Sequence, residues 1–299
     1  MKISIITPSF QQGQFIERTI QSVLTQNVAD LEYWVMDGGS QDKTVAILEQ
    51  YAGRLHFVSE PDQGQAHAVN KGLRQSSGDI IGWLNSDDIY YPGVLNTVLA
   101  FFTAHPEIDI LYGQANHIDE QDIVLERYPS GPWDVQRLTK TCYLSQPAVF
   151  WRRRVMEQFG YLDESLQYCM DYEYWLRLAL AGVRAHYLDV VLAGSRLYPA
   201  TKTMRAPLAA TEEALSMLQR SIAYVPAQWL LNYAVLATKN KIPQRFPHPR
   251  FLFQAWFAAA SAGFRWNGIG GGLRACYSVP LTMLKIQYSR RFGLQACKN

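Results

Sequence analysis

The stretch SGDIIGWLNSDDIYYPG, residues 77–93, decides the fold. Ile80, Ile81, Trp83 and Leu84 form a short apolar run of the kind that fills a buried strand. The run stops at two adjacent carboxylates, Asp87 and Asp88. Like charges side by side at a strand end repel, and each loses hydration if it is buried. Taken alone, the stretch reads either as a cation site or as an exposed turn in which Ser86 or Asp87 caps the next helix.

Working outward, similar units repeat. Strands are expected at Ile3 to Thr7, Leu31 to Met36, Leu55 to Val58 and Asp79 to Leu84. Helices are expected at Phe15 to Gln26, Asp42 to Gln50, His67 to Gln75 and from Pro92-Gly93 through Thr103. Strands alternating with helices at this spacing give an α/β domain with a mostly parallel sheet. Ligands of such sheets lie beyond the carboxyl ends of the strands. Asp37 and the Asp87-Asp88 pair fall at such ends. After residue 105, Asp109 to Tyr112, Ala115 to Ile118 and Ile123 to Tyr128 read as short antiparallel additions. Ala148 to Trp151 reads as a further strand. Met170 to Ala181, with Tyr174, Leu178 and Ala181 inward, and Leu208 to Tyr224 read as helices.

Several classes are excluded. No GxGxxG follows the first strand, and no GxxxxGK[ST] occurs. GIGGGLR, 268–274, reads as a flexible connection. Cys142, Cys169, Cys276 and Cys297 are scattered without a CxxC, against structural zinc. The opening MKISIITPSF reads as a first strand rather than a secretion signal, which makes the expected compartment cytoplasmic.

Charge divides the chain. Residues 1–213 carry 17 Lys/Arg and all 26 Asp/Glu, while residues 214–299 carry 11 Lys/Arg and no acid. The expectation is a catalytic domain over 1–213 and a basic aromatic extension over 214–299. FLFQAWFAAASAGFRW, 251–266, is shorter than the roughly 20 apolar residues a spanning helix needs. PLTMLKIQYSRRFG, 280–293, mixes apolar residues with Lys285, Arg290 and Arg291. Such a tail suits an anionic membrane surface; packing on the catalytic domain or on a second copy is the other reading. It carries no nucleic-acid module.

The chain resembles the family 2 glycosyltransferases, inverting enzymes of the GT-A fold, and bacterial polysaccharide-biosynthesis members among them. The resemblance rests on ISIITPSFQQGQFIERTIQSVLTQ (3–26), EYWVMDGGSQDKT (32–44), SEPDQGQAHAVNKGLRQSSGDIIGWLNSDDIYYPG (59–93), SQPAVFWRR (145–153) and MDYEYWLRLALAG (170–182), in the family's order. It implies a nucleotide-sugar donor, a UDP-sugar foremost, with Mn²⁺ or Mg²⁺ as cofactor. It places Thr7, Pro8 and Phe10 along the base and ribose, Asp37 on the base, Asp62 near the nucleotide, Asp87 by the ribose or sugar and Asp88 on the metal. It matches Asp171 to the general base. Glu173, or an Asp171 that only caps its helix, are the alternatives there, and Met170 stands where relatives often carry an acid. Gln146 and Trp175 fall on the acceptor side; a loop-fixing role for the first and a core role for the second are the competing readings.

Two departures matter. His67 stands where an Asp is common, which loosens any inference about the sugar. Tyr198 stands where relatives often have His, and a tyrosine is a poor ligand for Mn²⁺ or Mg²⁺, so no metal role passes to it. Arg196 and Lys202, in RLYPATKT, are candidates to close over a diphosphate because basic groups neutralise phosphate charge. The implied acceptor is a saccharide, lipid-linked if the tail meets the inner leaflet, in glycan or surface-polysaccharide assembly; a homo-oligomer is a further option. The rival functions are a non-catalytic nucleotide-sugar-binding subunit and a sugar nucleotidyltransferase. The second normally needs a basic, glycine-rich first loop, and ITPSFQQGQ has no basic residue.

Overall fold

The computed structural model describes residues 1–239, 241 and 248–291, with side chains through residue 276. Cys297 and the side chains of PLTMLKIQYSRRFG therefore lie outside the described residues. The chain divides into two compact units, Met1–Thr201 and Lys202–Asn299.

The first unit is an α/β layer structure on a nine-stranded sheet. Its first half is β1 (Ile3–Ser9), α1 (Ile16–Leu24), β2 (Leu31–Asp37), α2 (Thr44–Gln50), β3 (His56–Ser59), α3 (Gln65–Gln75) and β4 (Ile80–Trp83). These four strands are parallel, in the order β3-β2-β1-β4. All seven residues of β1 are buried, as a central parallel strand covered on both faces requires. Ile16, Thr19, Ile20 and Val23 give α1 its buried face. Gly72 of α3 lets helix and sheet approach closely, because a Cβ there would stand 2.6 Å from Ile6 Cγ2.

The second half comprises β5 (Ile89–Tyr90), α4 (Val94–Ala104), β6 (Ile110–Ile118), β7 (Val124–Arg127), α5 (Val135–Leu138), β8 (Val149–Arg152), α6 (Arg153–Phe159), α7 (Met170–Leu180) and β9 (Ala185–Arg196). The sheet continues from β4 through β8, β6 and β9 to β5, with β7 on β6. Two of the expected antiparallel strands are one nine-residue strand, β6. It runs antiparallel to β7 and β8 but parallel to β9. Its pairing with β9 shifts register on both sides of Gln114, next to Gly113, whose absent Cβ would meet Leu192 Cδ1 at 2.6 Å. In α7 the buried small residue is Ala179, and Ala181 is exposed beyond the helix end.

These directions bring the ends of β1, β2, β3, β4, β6 and β9 and the start of β8 to one edge of the sheet. Every loop that carries an expected site residue from Thr7 to Gln146 opens there.

The second unit is helical: α8 (Lys202–Arg205), α9 (Pro207–Ile222), α10 (Ala227–Lys239) and α11 (Pro249–Arg291). GIGGGLR is not a flexible connection. Only Gly268 leaves helical geometry, with φ 65°, and helix resumes after it. The chain doubles back there, since Trp256 Nε1 donates to the Cys276 carbonyl at 3.0 Å. The glycines let the arms touch: a Cβ on Gly263 would stand 2.8 Å from Ala275 Cβ, and one on Gly272 would lie 2.3 Å from the Phe264 ring. Among the described residues no helix is long and apolar enough to cross a membrane.

Candidate active site

At the end of β4 the chain turns through Asn85-Ser86-Asp87-Asp88, and neighbours fix the turn from three sides. Thr19 of α1 donates its hydroxyl to the Ser86 and Asp88 carbonyls at 3.0 and 2.7 Å. The Arg196 backbone N–H, at the end of β9, donates to Asp88 Oδ1 at 2.8 Å. The Tyr198 hydroxyl donates to Asp87 Oδ2 at 3.0 Å and accepts from Gln12 Nε2 at 3.3 Å.

Burial, then the charge of Asp87, pushes the Asp88 carboxyl well above the usual carboxylate range. Burial likewise raises Asp87, against the hydrogen bond from Tyr198. Of the two readings of this turn, the exposed cap does not apply: Asp88 is buried and no side-chain cap is made to α4. The pair has hard oxygen donors and excess negative charge, the donor set that suits a hard divalent cation. Among the described residues no group of three or more His, Cys, Asp or Glu is arranged to hold a metal.

Beside the pair, three segments make a ledge. Phe10 is exposed although apolar. A Cβ on Gly38 would stand 2.8 Å from Asp62 Oδ2 and 3.3 Å from the Phe10 ring, so Gly38 leaves room where they converge. Asp62 Oδ1 accepts from the Gly64 N–H at 2.7 Å. Asp37 is buried and shapes the ledge from below. Its carboxylate accepts from the Gly39 and Ser40 N–H groups at 3.1 and 2.8 Å, and from the Ser40 and Ser59 hydroxyls at 2.6 and 2.7 Å. Thr7 and Pro8 are buried, and the Thr7 hydroxyl meets that of Tyr33 at 3.2 Å, so both support the ledge from within β1.

Asp171 stands in the first turn of α7, with Oδ1 accepting from the Tyr172 N–H at 2.8 Å. Burial raises its pKa to about 6. Its charge adds to the burial that raises the Cys142 thiol and the Tyr128 hydroxyl, which puts all three in one neighbourhood. Glu173 is engaged elsewhere, in an ion pair with Arg177 at 2.8 Å. Arg177 also holds the Phe159 and Tyr161 carbonyls, the structural role its position suggests. Gln146 is buried, donates to the Trp83 carbonyl, and leaves Oε1 with no hydrogen-bond partner among the described residues.

Two expectations need correction. Trp175 does not face an acceptor: it is fully buried, edge-on to Trp151 at 5.6 Å between ring centroids. Arg196 does not offer its guanidinium to a diphosphate. The side chain is buried over the Phe15 ring, donates to the Asp87 and Asp119 carbonyls, and pairs with Asp122. Lys202 falls in the second unit, on α8. Sequence reasoning passed over Thr19, Gln12, Asn85, Tyr128 and Asp122. Gln12 was legible only as part of a polar turn, and the others carry no local signal.

The model of the family "Glycosyl transferase family 2" matches residues 4–150, which contain the ledge, the acid pair and Gln146. The chain belongs to glycosyltransferase family 2. This glycosyltransferase is 28% identical over 218 residues to an uncharacterized glycosyltransferase of Rickettsia typhi, covering 68% of this chain and 66% of the relative. It is 30% identical over 188 residues to a chondroitin synthase of Escherichia coli, covering 62% of this chain but 27% of that longer protein. Among solved structures it is similar to TarS 1–349 of S. aureus in complex with UDP-GlcNAc, with TM-score 0.65, 17% identity, and 99% and 93% of the two chains covered. That likeness concerns the fold.

Proposed function

We propose that this glycosyltransferase moves a sugar, with inversion, from a nucleotide-sugar to a hydroxyl of a saccharide acceptor in glycan or polysaccharide assembly. The observation that carries the reading is the Asp87-Asp88 pair, Asp88 buried and Asp87 half-buried, at the carboxyl edge of the sheet, beside the ledge of Phe10, Gly38 and Asp62. Two carboxylates that repel each other fit Mn²⁺ or Mg²⁺, whose remaining ligands are water and phosphate oxygens. Such a cation, held by Asp88 with Asp87 beside it, would neutralise charge developing on the departing diphosphate.

The chain's own residues do the rest. Phe10 offers a face to the base, with Asp62 at the rim. Asp37 acts on the nucleotide site by holding the Gly39-Ser40 turn, with any contact to the base made from there. Asp171, near neutrality and ionised above about pH 6, takes the proton of the acceptor hydroxyl. The acceptor oxygen bonds to the anomeric carbon as the bond to the diphosphate oxygen breaks, so the nucleoside diphosphate leaves from the opposite face. Gln146 Oε1 is free to accept from an acceptor hydroxyl. The basic, acid-free tail supports work at the cytoplasmic face of a membrane on a lipid-linked acceptor.

The test is release of nucleoside diphosphate across UDP-, GDP- and dTDP-sugars with Mn²⁺ or Mg²⁺, with and without membrane lipid extract. The UDP-GlcNAc held by the similarly folded TarS puts UDP-sugars first. Cation-dependent release from one donor, lost in Asp88→Ala, is the expected result. Donor binding without turnover in every mixture would reduce the chain to a binding subunit, and release of pyrophosphate would make it a nucleotidyltransferase.

A further inference from the structure

The first arm of α11 is sorted by face. Phe251, Ala255, Ala259, Ala262 and Trp266 are buried. At 3.6 residues per turn Phe253, Phe257 and Phe264 fall within about 40° of one another on the opposite side. They are 61%, 60% and 44% exposed. After the break at Gly268, Ile269 and Leu273, one turn apart, are 77% and 53% exposed. The two rows adjoin, because the Phe264 ring lies against Gly272. Arg250, Arg265 and Arg274 are exposed on the same hairpin. No acid occurs after residue 213.

Exposed phenylalanines in register are costly to keep in water, and a contiguous apolar strip of this kind marks an interaction surface. The charge chooses the partner. Three arginines with no carboxylate on the hairpin complement an anionic surface. Rings beside arginines suit the boundary between headgroups and acyl chains, which a helix too short to span can occupy. We propose that the Phe253-Phe257-Phe264 row, continued by Ile269 and Leu273, inserts shallowly into an anionic bilayer while Arg250, Arg265 and Arg274 bind its headgroups. The inference rests on the reading of the enzyme as working at a membrane surface, and gives that reading a defined face.

The experiment is flotation of the full-length protein with vesicles of phosphatidylcholine containing one-third phosphatidylglycerol, and with phosphatidylcholine alone. Wild type floats with the anionic vesicles only, and less as salt is raised. Phe253→Ser with Phe257→Ser lowers the bound fraction about tenfold or more, and Arg250→Gln with Arg265→Gln removes the preference for anionic lipid. Circular dichroism establishes that each variant keeps its helices. Nucleoside diphosphate release in solution is unchanged in both variants, which separates this surface from the reaction. Wild type that does not float overturns the membrane reading and the strip together, whatever the release assay gives. Flotation that survives the Phe changes overturns the strip alone. A switch from dimer to monomer in the Phe variants, with flotation intact, assigns the strip to a second copy of the chain instead.

Discussion

Asp171 and Asp88 are both carboxyls whose burial raises the pKa, and the consequence differs between them. For Asp171, at about 6, the rate should climb with pH to a plateau above that value as the base ionises. Asp171→Asn should lower kcat by about 10² to 10⁴, abolish that limb, and leave donor affinity within about twofold. The stability effect runs the other way. Folded Asp171 holds its proton more tightly than the unfolded chain does, so stability falls as pH rises from about 4 to about 6. Asp171→Asn removes that penalty and should raise stability at pH 8 by about 2 kcal/mol, read by urea titration at pH 4 and pH 8. Asp88→Asn keeps an oxygen for the Arg196 N–H but removes the acid whose ionisation burial and the like charge of Asp87 oppose. It should raise Tm in the presence of a chelator, and abolish the further rise that Mn²⁺ gives wild type. A lower Tm in chelator would mean that the pair is already balanced by the surrounding protein.

At the scale of elements, the site depends on strand ends that must meet. Gly38, after β2, has no room for a side chain between Asp62 and Phe10. Gly38→Ala should push the ledge open, raising KM for the donor about tenfold with a small change in kcat, because the loss is in binding common to ground and transition state. Initial-rate kinetics over a range of donor concentrations separates the two. Arg196 closes β9 against the β6–β7 turn, where Asp122, at φ 69°, receives both Arg196 and Arg18. Arg196→Ala should cost about 1 to 3 kcal/mol by urea unfolding, since it leaves the Asp87 carbonyl without its donor, while Asp122 keeps Arg18 and the Asp119 carbonyl keeps the Asp122 N–H. β9 left little trace in the sequence. The first seven residues of AHYLDVVLAGSR are exposed or half-buried and only later ones are buried, so no single period runs through it. Its partner β6 lies about 75 residues earlier, a parallel pairing that no local pattern announces.

At the scale of the whole molecule, each unit has its own way of packing. The first buries a sheet between helix layers, while the second closes a helical hairpin on glycine and alanine. Gly272→Val would drive a side chain into the Phe264 ring. The expected result is a loss of helical circular dichroism with nucleotide-sugar binding retained within about twofold, measured by calorimetry. Loss of binding as well would show that the nucleotide site depends on the hairpin.

The sequence by itself determined what local periodicity and short-range chemistry can encode. Four parallel strands with their helices follow from apolar runs and the turns between them. The acid pair follows from DD at the end of IIGW, and the tail without acids is read directly, although the compact units divide at Thr201 and Lys202 rather than where the acids end at Glu213. The placement of Asp37 at a strand end, and of Phe10 and Asp62 in the loops that follow strands, was also legible. Tertiary structure decided what depends on distant partners. It buried Trp175 and Arg196, whose side chains look suited to ligands until the core and Asp122 claim them. It gave Asp87 a hydroxyl donor from Tyr198, 111 residues away. It turned GIGGGLR from an apparent linker into the face where two helices touch. The physical reason is common to all of these: a side chain's partners are set by which strands pair and which helices meet, and those contacts are made across sequence separations that no window of neighbouring residues contains.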